Sequence, residues 1–360
     1  MAERIVNEYR PDYVSAPGET LAEVLEIRTM SQSELASRTG RTAKHINEII
    51  KGKARITPET SLQFERALGI PASFWNSRER DYNEFVARRN EAVAIRANLQ
   101  WATLFPYKEM AKRGWVENIR DRAKRLSNLL NFFGVASPAA WNAYWNGIQI
   151  AYRVSQSYQP DRYALAAWLR RGELTGQRLE CQPFDADKFR HCLSQARSLT
   201  REPASVFKGR LIELGAACGV AVAFVRELPE TASGATRWLA PDKALLQLSL
   251  KYKTDDQLWF TFFHEAAHIL SHHKKSIFIE GGERSSKEEK EANRFAADFL
   301  IPPAKYRLLA ASPRLTCETI RSFAEDLGIA PGIVVGRLQK EKRLPYSQCN
   351  RFKKQLFWKA

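Results

Sequence analysis

Residues 258–270 read Leu-Trp-Phe-Thr-Phe-Phe-His-Glu-Ala-Ala-His-Ile-Leu, an apolar stretch without glycine or proline into which two histidines and a glutamate are set. On a helix, residues four apart share a face, so His264 and His268 can offer their imidazoles to one metal ion while Glu265 stands beside them. The spacing predicts a helix over 255–272, buried beside a sheet through Phe262, Phe263, Ile269 and Leu270. His272 and His273, at its end, are expected to face solvent.

Two ligands do not hold a catalytic zinc. A third is expected from the acidic run Glu288-Glu-Lys-Glu-Ala-Asn-Arg-Phe-Ala-Ala-Asp-Phe-Leu-Ile-Pro302, which reads as a second helix over 286–300, stopped by Pro302 and Pro303. Glu289 and Asn293 share a face: Glu289 would complete a His2Glu site for Zn2+, and the Asn293 side-chain oxygen would accept the free ring N–H of a ligand histidine. Glu288 and Glu291 compete for the third position. With Zn2+ in place, water is acidified, Glu265 takes its proton as general base, and the hydroxide attacks a polarised peptide carbonyl.

Outward from this core, residues 219–225, 243–250 and 276–279 are short apolar or alternating runs flanked by turn residues and are expected to be strands. Residues 80–200 are rich in Trp, Tyr, Arg and Leu, with helical spacing over 115–132 and 162–169. The last fifty residues predict helices at 316–327, 331–341 and 347–358. Residues 319–337 have a helix-turn-helix rhythm, and residues 312–360 carry a charge of +6; a solvated helical cap on the preceding domain is expected there rather than a second nucleic-acid contact.

Near the N-terminus, apolar residues from Gly18 to Leu68 fall at helical spacing and predict four or five short helices. Ser31 and Glu34 form a capping-box pair, and Gly40 is placed to end that helix in a left-handed conformation. A second helix over 42–51 follows a turn at Gly40 and Arg41, the short connection a helix-turn-helix requires. Ile46, Ile49 and Ile50 would face the core, leaving Arg41, Thr42, Ala43, Lys44, Asn47 and Lys51 as the DNA-facing candidates. His45 is read as a packing or surface residue.

Composition bounds these readings. The chain has 360 residues, 44% hydrophobic and 27% charged, ordinary for a globular protein of two or three domains. No apolar run approaches the roughly 20 residues of a membrane span, and the first residues lack a signal-peptide core; a cytoplasmic protein with no membrane contact is expected. The five cysteines are odd in number and form no CxxC pair, so they are expected to be reduced and mostly buried. The net charge of +16 divides into +1 over residues 1–89, +7 over 90–200 and +8 over 201–360, so the excess does not sit on the DNA-binding candidate.

The run SQSELASRTGRTAKHINEIIKGKARITPETSLQFERALGIPASFW (31–75) resembles the repressor-type (XRE) helix-turn-helix family, particularly the branch found in HigA-type antitoxins. The resemblance covers about residues 15–80 and implies a domain that binds double-stranded operator DNA as a homodimer on paired half-sites. The pair HEAAH (264–268) and EKEANRFAADFLIP (289–302) resembles the ImmA/IrrE (M78) metallopeptidase family over about residues 200–305. It implies a gluzincin-like fold, zinc held through His264, His268 and Glu289, Glu265 as general base, and a repressor protein as the usual substrate.

The expected fold class is mainly α with a smaller α+β part. Its expected divisions are a helix-turn-helix bundle (1–80), a helical middle region (81–200), a zinc metallopeptidase domain with a small sheet (201–305) and a helical C-terminal segment (306–360). Two functions fit. One is a DNA-binding regulator whose zinc endopeptidase cleaves a repressor or other regulatory protein; the other is an antitoxin-type repressor that binds a partner toxin, its zinc domain sensory or structural.

Overall fold

The computed structural model describes residues 13–151, 161–271, 278–279, 287–312 and 314–358. Residues 272–277, which include His272 and His273 and the start of the strand expected at 276–279, lie outside the described residues, as does Ser286. The chain divides into two compact units, Met1–Ala97 and Asn98–Ala360.

The first unit is all helical: α1 Pro17–Ile27, α2 Gln32–Thr39, α3 Ala43–Ile50, α4 Pro58–Leu68 and α5 Ala72–Ala97. One face of each of the first four, together with Trp75, closes a core of Leu21, Leu25, Leu35, Ile46, Ile49, Ile56, Phe64 and Leu68. The long α5 runs through the division expected near Arg80 and buries only Ala72 and Trp75.

The second unit opens with α6 Tyr107–Lys112, α7 Arg122–Phe133, α8 Pro138–Ala151, α9 Arg162–Arg178, α10 Ala186–Ser198 and α11 Ala204–Ala216. The helix expected from Trp115 begins only at Arg122, because Asp121 caps it there by accepting the Lys124 backbone N–H at 2.8 Å. Trp101, Phe105, Phe133, Trp141 and Tyr163 pack ring against ring at centroid distances of 4.7 to 5.7 Å. This aromatic cluster is joined to the rest of the unit through α9, whose Trp168 indole donates to the Val225 carbonyl at 3.2 Å.

A four-stranded sheet follows, built from β1 Val220–Phe224, β2 Gly234–Ala240, β3 Lys243–Leu248 and β4 Phe278–Ile279 in the order β1-β3-β2-β4. β1 and β3 are parallel; β2 is antiparallel to both its neighbours. Between β3 and β4 comes α12 Asp255–Ser271, and after β4 come α13 Lys287–Leu300, α14 Pro303–Ala310, α15 Cys317–Leu327 and α16 Pro331–Lys340.

The sheet is covered on both faces, and the two-residue period of a strand decides which residues face which helix. On β3, Ala244, Leu246 and Leu248 enter the core that holds Trp259, Phe262 and Phe263 of α12. Leu245 and Gln247 point the other way, onto α9. There Gly172 and Gly176 permit the approach: a Cβ at Gly172 would lie against the Gln247 side-chain amide, and one at Gly176 would lie 2.8 Å from Leu245 Cδ1. Gln247 in turn donates to the Trp168 carbonyl at 2.8 Å.

β2 was not expected from the sequence. Its alternation places Arg237 beside Glu173 of α9 at 3.3 Å, so a charged residue sits in the middle of a strand that is buried only over its first three residues and blurs the apolar pattern. The strands at 220–224 and 243–248 and the helices α12, α13, α15 and α16 lie where the sequence pattern put them.

Two expectations fail at the C-terminus. Residues 347–358 form no long helix; they hold a short 3-10 turn, Asn350–Phe352, and then run extended. Their backbone bonds to the residues ahead of α12: Asp255 donates to the Lys354 carbonyl at 3.0 Å, and Leu356 to that of Lys253 at 2.8 Å. The Gln339 amide holds the Gln348 carbonyl at 3.1 Å. Tertiary partners thus take the groups that helical bonding would have used. Nor are all cysteines reduced: Cys317 and Cys349 form a disulfide across 32 residues, while Cys181, Cys192 and Cys218 are free. The two are brought together by the return of the chain past α15, which no local cysteine spacing announces.

The first residue of α12, Asp255, is 2% exposed, and its Oδ1 accepts the backbone N–H of Asp256 and Lys354 at 2.9 Å each. Burial pushes its carboxyl up to about 6. A carboxyl whose pKa is higher in the folded chain weakens folding as it ionises, so stability falls as pH rises from about 4 through 6. Asp255→Asn keeps the acceptor and removes the charge. It is expected to stabilise the fold by up to ~3 kcal/mol at about pH 7.5, raising the thermal midpoint there, and to change the midpoint little near pH 4, as calorimetry at the two pH values would show.

Candidate metal centre and nucleic-acid interface

His264 and His268 lie on α12, 1% and 2% exposed, with their Nε2 atoms 3.1 Å apart. Glu289 reaches them from α13: one oxygen is 3.4 Å from His264 Nε2 and the other 3.2 Å from His268 Nε2. Glu265 is fully buried on the same helix. The two helices approach closely because the inner stripe of α13, Glu289, Ala292, Ala296 and Leu300, is buried and has alanine at its two central positions. Phe299 stacks on Phe263 of α12 at 5.0 Å, which fixes their register.

That stripe separates the three candidate glutamates. Glu288 and Glu291 point outward and are exposed, Glu291 pairing with Lys287 at 3.8 Å. Glu289 alone of the three joins the histidines. Asn293, one turn on, is half-buried and makes no hydrogen bond to either imidazole among the described residues.

His264, His268 and Glu289 can present one ligand atom each within 4.8 Å of one another. The donor set fits a zinc ion in chemistry and in spacing. Ligands about 2.0–2.1 Å from a tetrahedral zinc stand about 3.3–3.4 Å apart; the two Nε2 atoms here are 3.1 Å apart, and each has its own Glu289 oxygen nearby, Oε2 at 3.4 Å from His264 and Oε1 at 3.2 Å from His268. Burial alone would raise the Glu289 carboxyl, but hydrogen bonding to His264 and His268 outweighs it and brings the pKa down to about 2. Glu289 is therefore an anion throughout the neutral range, as a metal ligand must be.

Sequence reasoning missed Gly234, the first residue of β2. A Cβ there would fall 2.8 Å from both Cγ and Oε1 of Glu265 and 2.5 Å from Thr261 Cγ2. Its only trace in the sequence is a glycine among the small residues Ala232 and Ser233.

In the first unit, α2 and α3 cross at the expected turn. Ser31 accepts the Glu34 backbone N–H at 3.1 Å, but Glu34 bonds to Arg38 instead of returning to Ser31, so the capping box is half formed. Gly40 has φ +67°, which a side chain would strain. Thr42 caps α3 by accepting the His45 N–H at 3.1 Å. Thr42, Ala43, Lys44 and Lys51 are exposed and Asn47 half-buried. Arg41 differs: its guanidinium is tied to Gln63 at 2.8 Å and Glu59 at 3.1 Å, bracing the turn between α2 and α3 against α4.

The rhythm at 319–337 does become two helices joined at Gly328, which has φ +67°. Yet α16 buries Ile333, Val334, Val335 and Leu338 against α12 and α15. It has no free face to enter a groove.

Residues 229–339 match the model of the IrrE N-terminal-like domain of the M78 peptidases, and residues 21–75 match that of the helix-turn-helix. The chain joins a helix-turn-helix domain to an IrrE N-terminal-like domain. That combination is a DNA-binding regulator with a peptidase-like domain. The IrrE N-terminal-like match extends past residue 305 to take in α14, α15 and most of α16.

Solved structures similar to this chain include a HigA-family addiction module antidote protein of Coxiella burnetii, at 27% identity over 23% of this chain and 91% of that one, with a TM-score of 0.22. Another is a Nostoc punctiforme protein assigned as the antidote of a plasmid maintenance system, at 23% identity over 21% of this chain and 85% of that one, TM-score 0.21. A third is a Pseudomonas aeruginosa protein in complex with its operator DNA, at 25% identity over 21% of this chain and 82% of that one, TM-score 0.20. Among curated proteins nothing matches. Among the described residues, no helix is long and apolar enough to cross a membrane.

The contrast between Arg41 and Lys44 is open to a direct check by denaturant unfolding. Arg41→Ala is expected to destabilise by about 1 kcal/mol through loss of its ties to α4, whereas Lys44→Ala, whose side chain is 86% exposed, should change stability by less than about 0.5 kcal/mol.

Proposed function

We propose that this protein is a DNA-bound regulator whose IrrE N-terminal-like domain is a zinc-dependent endopeptidase acting on a repressor or other regulatory protein. The observation that carries the reading is the buried cluster of His264, His268 and Glu289, which can turn one donor atom each toward a single ion within 4.8 Å of one another.

His264, His268 and Glu289 are the residues that would hold the ion. When bound there, Zn2+ supplies Lewis acidity, which makes water a usable nucleophile near neutral pH and polarises a peptide carbonyl. Glu265 takes the proton of the attacking water on its carboxylate and delivers it to the leaving amine nitrogen. The close-packed α12–α13 pair keeps the three donors from turning away to water.

The first unit brings this chemistry to operator DNA. Thr42, Ala43, Lys44, Asn47 and Lys51 form the outer face of the recognition helix, with a homodimer spanning two half-sites. Arg41 contributes by fixing the turn that leads into that helix more than by reaching a phosphate.

Three results test the reading. Elemental analysis of purified protein is expected to give about one zinc per chain, lost in His264→Ala and Glu289→Ala and kept in Glu288→Ala and Glu265→Gln. Incubation with regulatory proteins encoded beside its gene should give a cleaved product that Glu265→Gln reduces by at least about 10²-fold. Zinc without cleavage would favour the antitoxin-type repressor with a sensory or structural metal. In gel shifts on operator DNA, Lys44→Ala and Lys51→Ala should each lower the salt slope by about 1; slopes equal to that of the unaltered protein would place the interface elsewhere.

A further inference from the structure

We infer that Gly234 is a positioning residue for Glu265: the missing side chain at the start of β2 is the space that fixes where the Glu265 carboxylate lies. The inference rests on the endopeptidase reading and deepens it.

Thr261, His264, Glu265 and His268 recur at the three- and four-residue spacing that puts them on one stripe of α12. Gly234 meets that stripe. A Cβ at this position would lie 2.5 Å from Thr261 Cγ2 and 2.8 Å from Glu265 Cγ and Oε1, well inside the roughly 3.5–4.0 Å of a comfortable carbon contact. Gly234 is not among the glycines with positive φ, so space and not backbone torsion demands glycine.

Neither wall can yield easily. The strand is pinned between β3 and β4, with Gly234 opposite Leu248 and Ala235 opposite Ile279. The helix is buried along nearly its whole length. The residues leading into the strand, Thr231, Ala232 and Ser233, are themselves small and buried. The parts left to move are the Thr261 and Glu265 side chains. A methyl group at Gly234 would swing the carboxylate off the strand and away from the position in which it can take the proton of the attacking water.

Two measurements test this. The first is a double-mutant cycle of Gly234→Ala and Glu265→Ala on the thermal midpoint of the metal-free protein, in a Thr261→Ser background that removes the methyl meeting the same Cβ. Gly234→Ala is expected to lower the midpoint by several degrees, and at least half of that loss should disappear when Glu265 is Ala; additive effects would overturn the inference. The second follows the visible absorption of the Co2+-loaded protein against pH. Gly234→Ala should bind as much Co2+ as the unaltered protein but move the midpoint of the transition by at least about half a pH unit, in the direction that Glu265→Gln moves it. An unmoved midpoint would leave Gly234 a packing residue only. Failure of the unaltered protein to take up Co2+ would sink the endopeptidase reading, while the metal-free cycle would still decide whether Gly234 sets the place of Glu265.

Discussion

Two imidazole nitrogens 3.1 Å apart, with a carboxylate 3.2 and 3.4 Å from them, sit where almost no solvent reaches. Buried polar groups of this kind need partners, and a buried anion needs them most. The rest of the second unit reads as the means of holding that constellation together. The sheet carries α12 on one face and α9 on the other, α13 supplies Glu289 along a stripe of alanines, and α16 closes over α12 from the remaining side.

Much of this was legible in the sequence because it rests on local periodicity. The apolar stretch around His264 and His268 has one plausible conformation, and the two prolines at 302 and 303 mark the end of the next helix without ambiguity. The choice of Glu289 over Glu288 and Glu291 was open at that level. It follows from which face of α13 is apolar, and Ala292, Ala296 and Leu300 are three and four residues apart on the Glu289 side.

What escaped the sequence depends on distant partners. β2 carries Arg237 in its middle because Glu173, far away in the chain, is there to meet it. The C-terminal segment has helical composition but finds better backbone partners beside Lys253 and Asp255. The Cys317–Cys349 disulfide closes between residues with no local motif. Gly234 matters through a side chain it lacks. Each is a tertiary constraint that overrides local preference, and two of them, β2 and the C-terminal segment, bear directly on how α12 is held.

The central claim is that His264, His268 and Glu289 are the ligands of one zinc ion. X-ray absorption at the zinc edge of the purified full-length protein tests it most directly. The account predicts a first shell of nitrogen and oxygen only, near 2.0–2.1 Å, with outer-shell scattering from two imidazoles. Sulfur at about 2.3 Å would mean that cysteines hold the metal and would contradict the account.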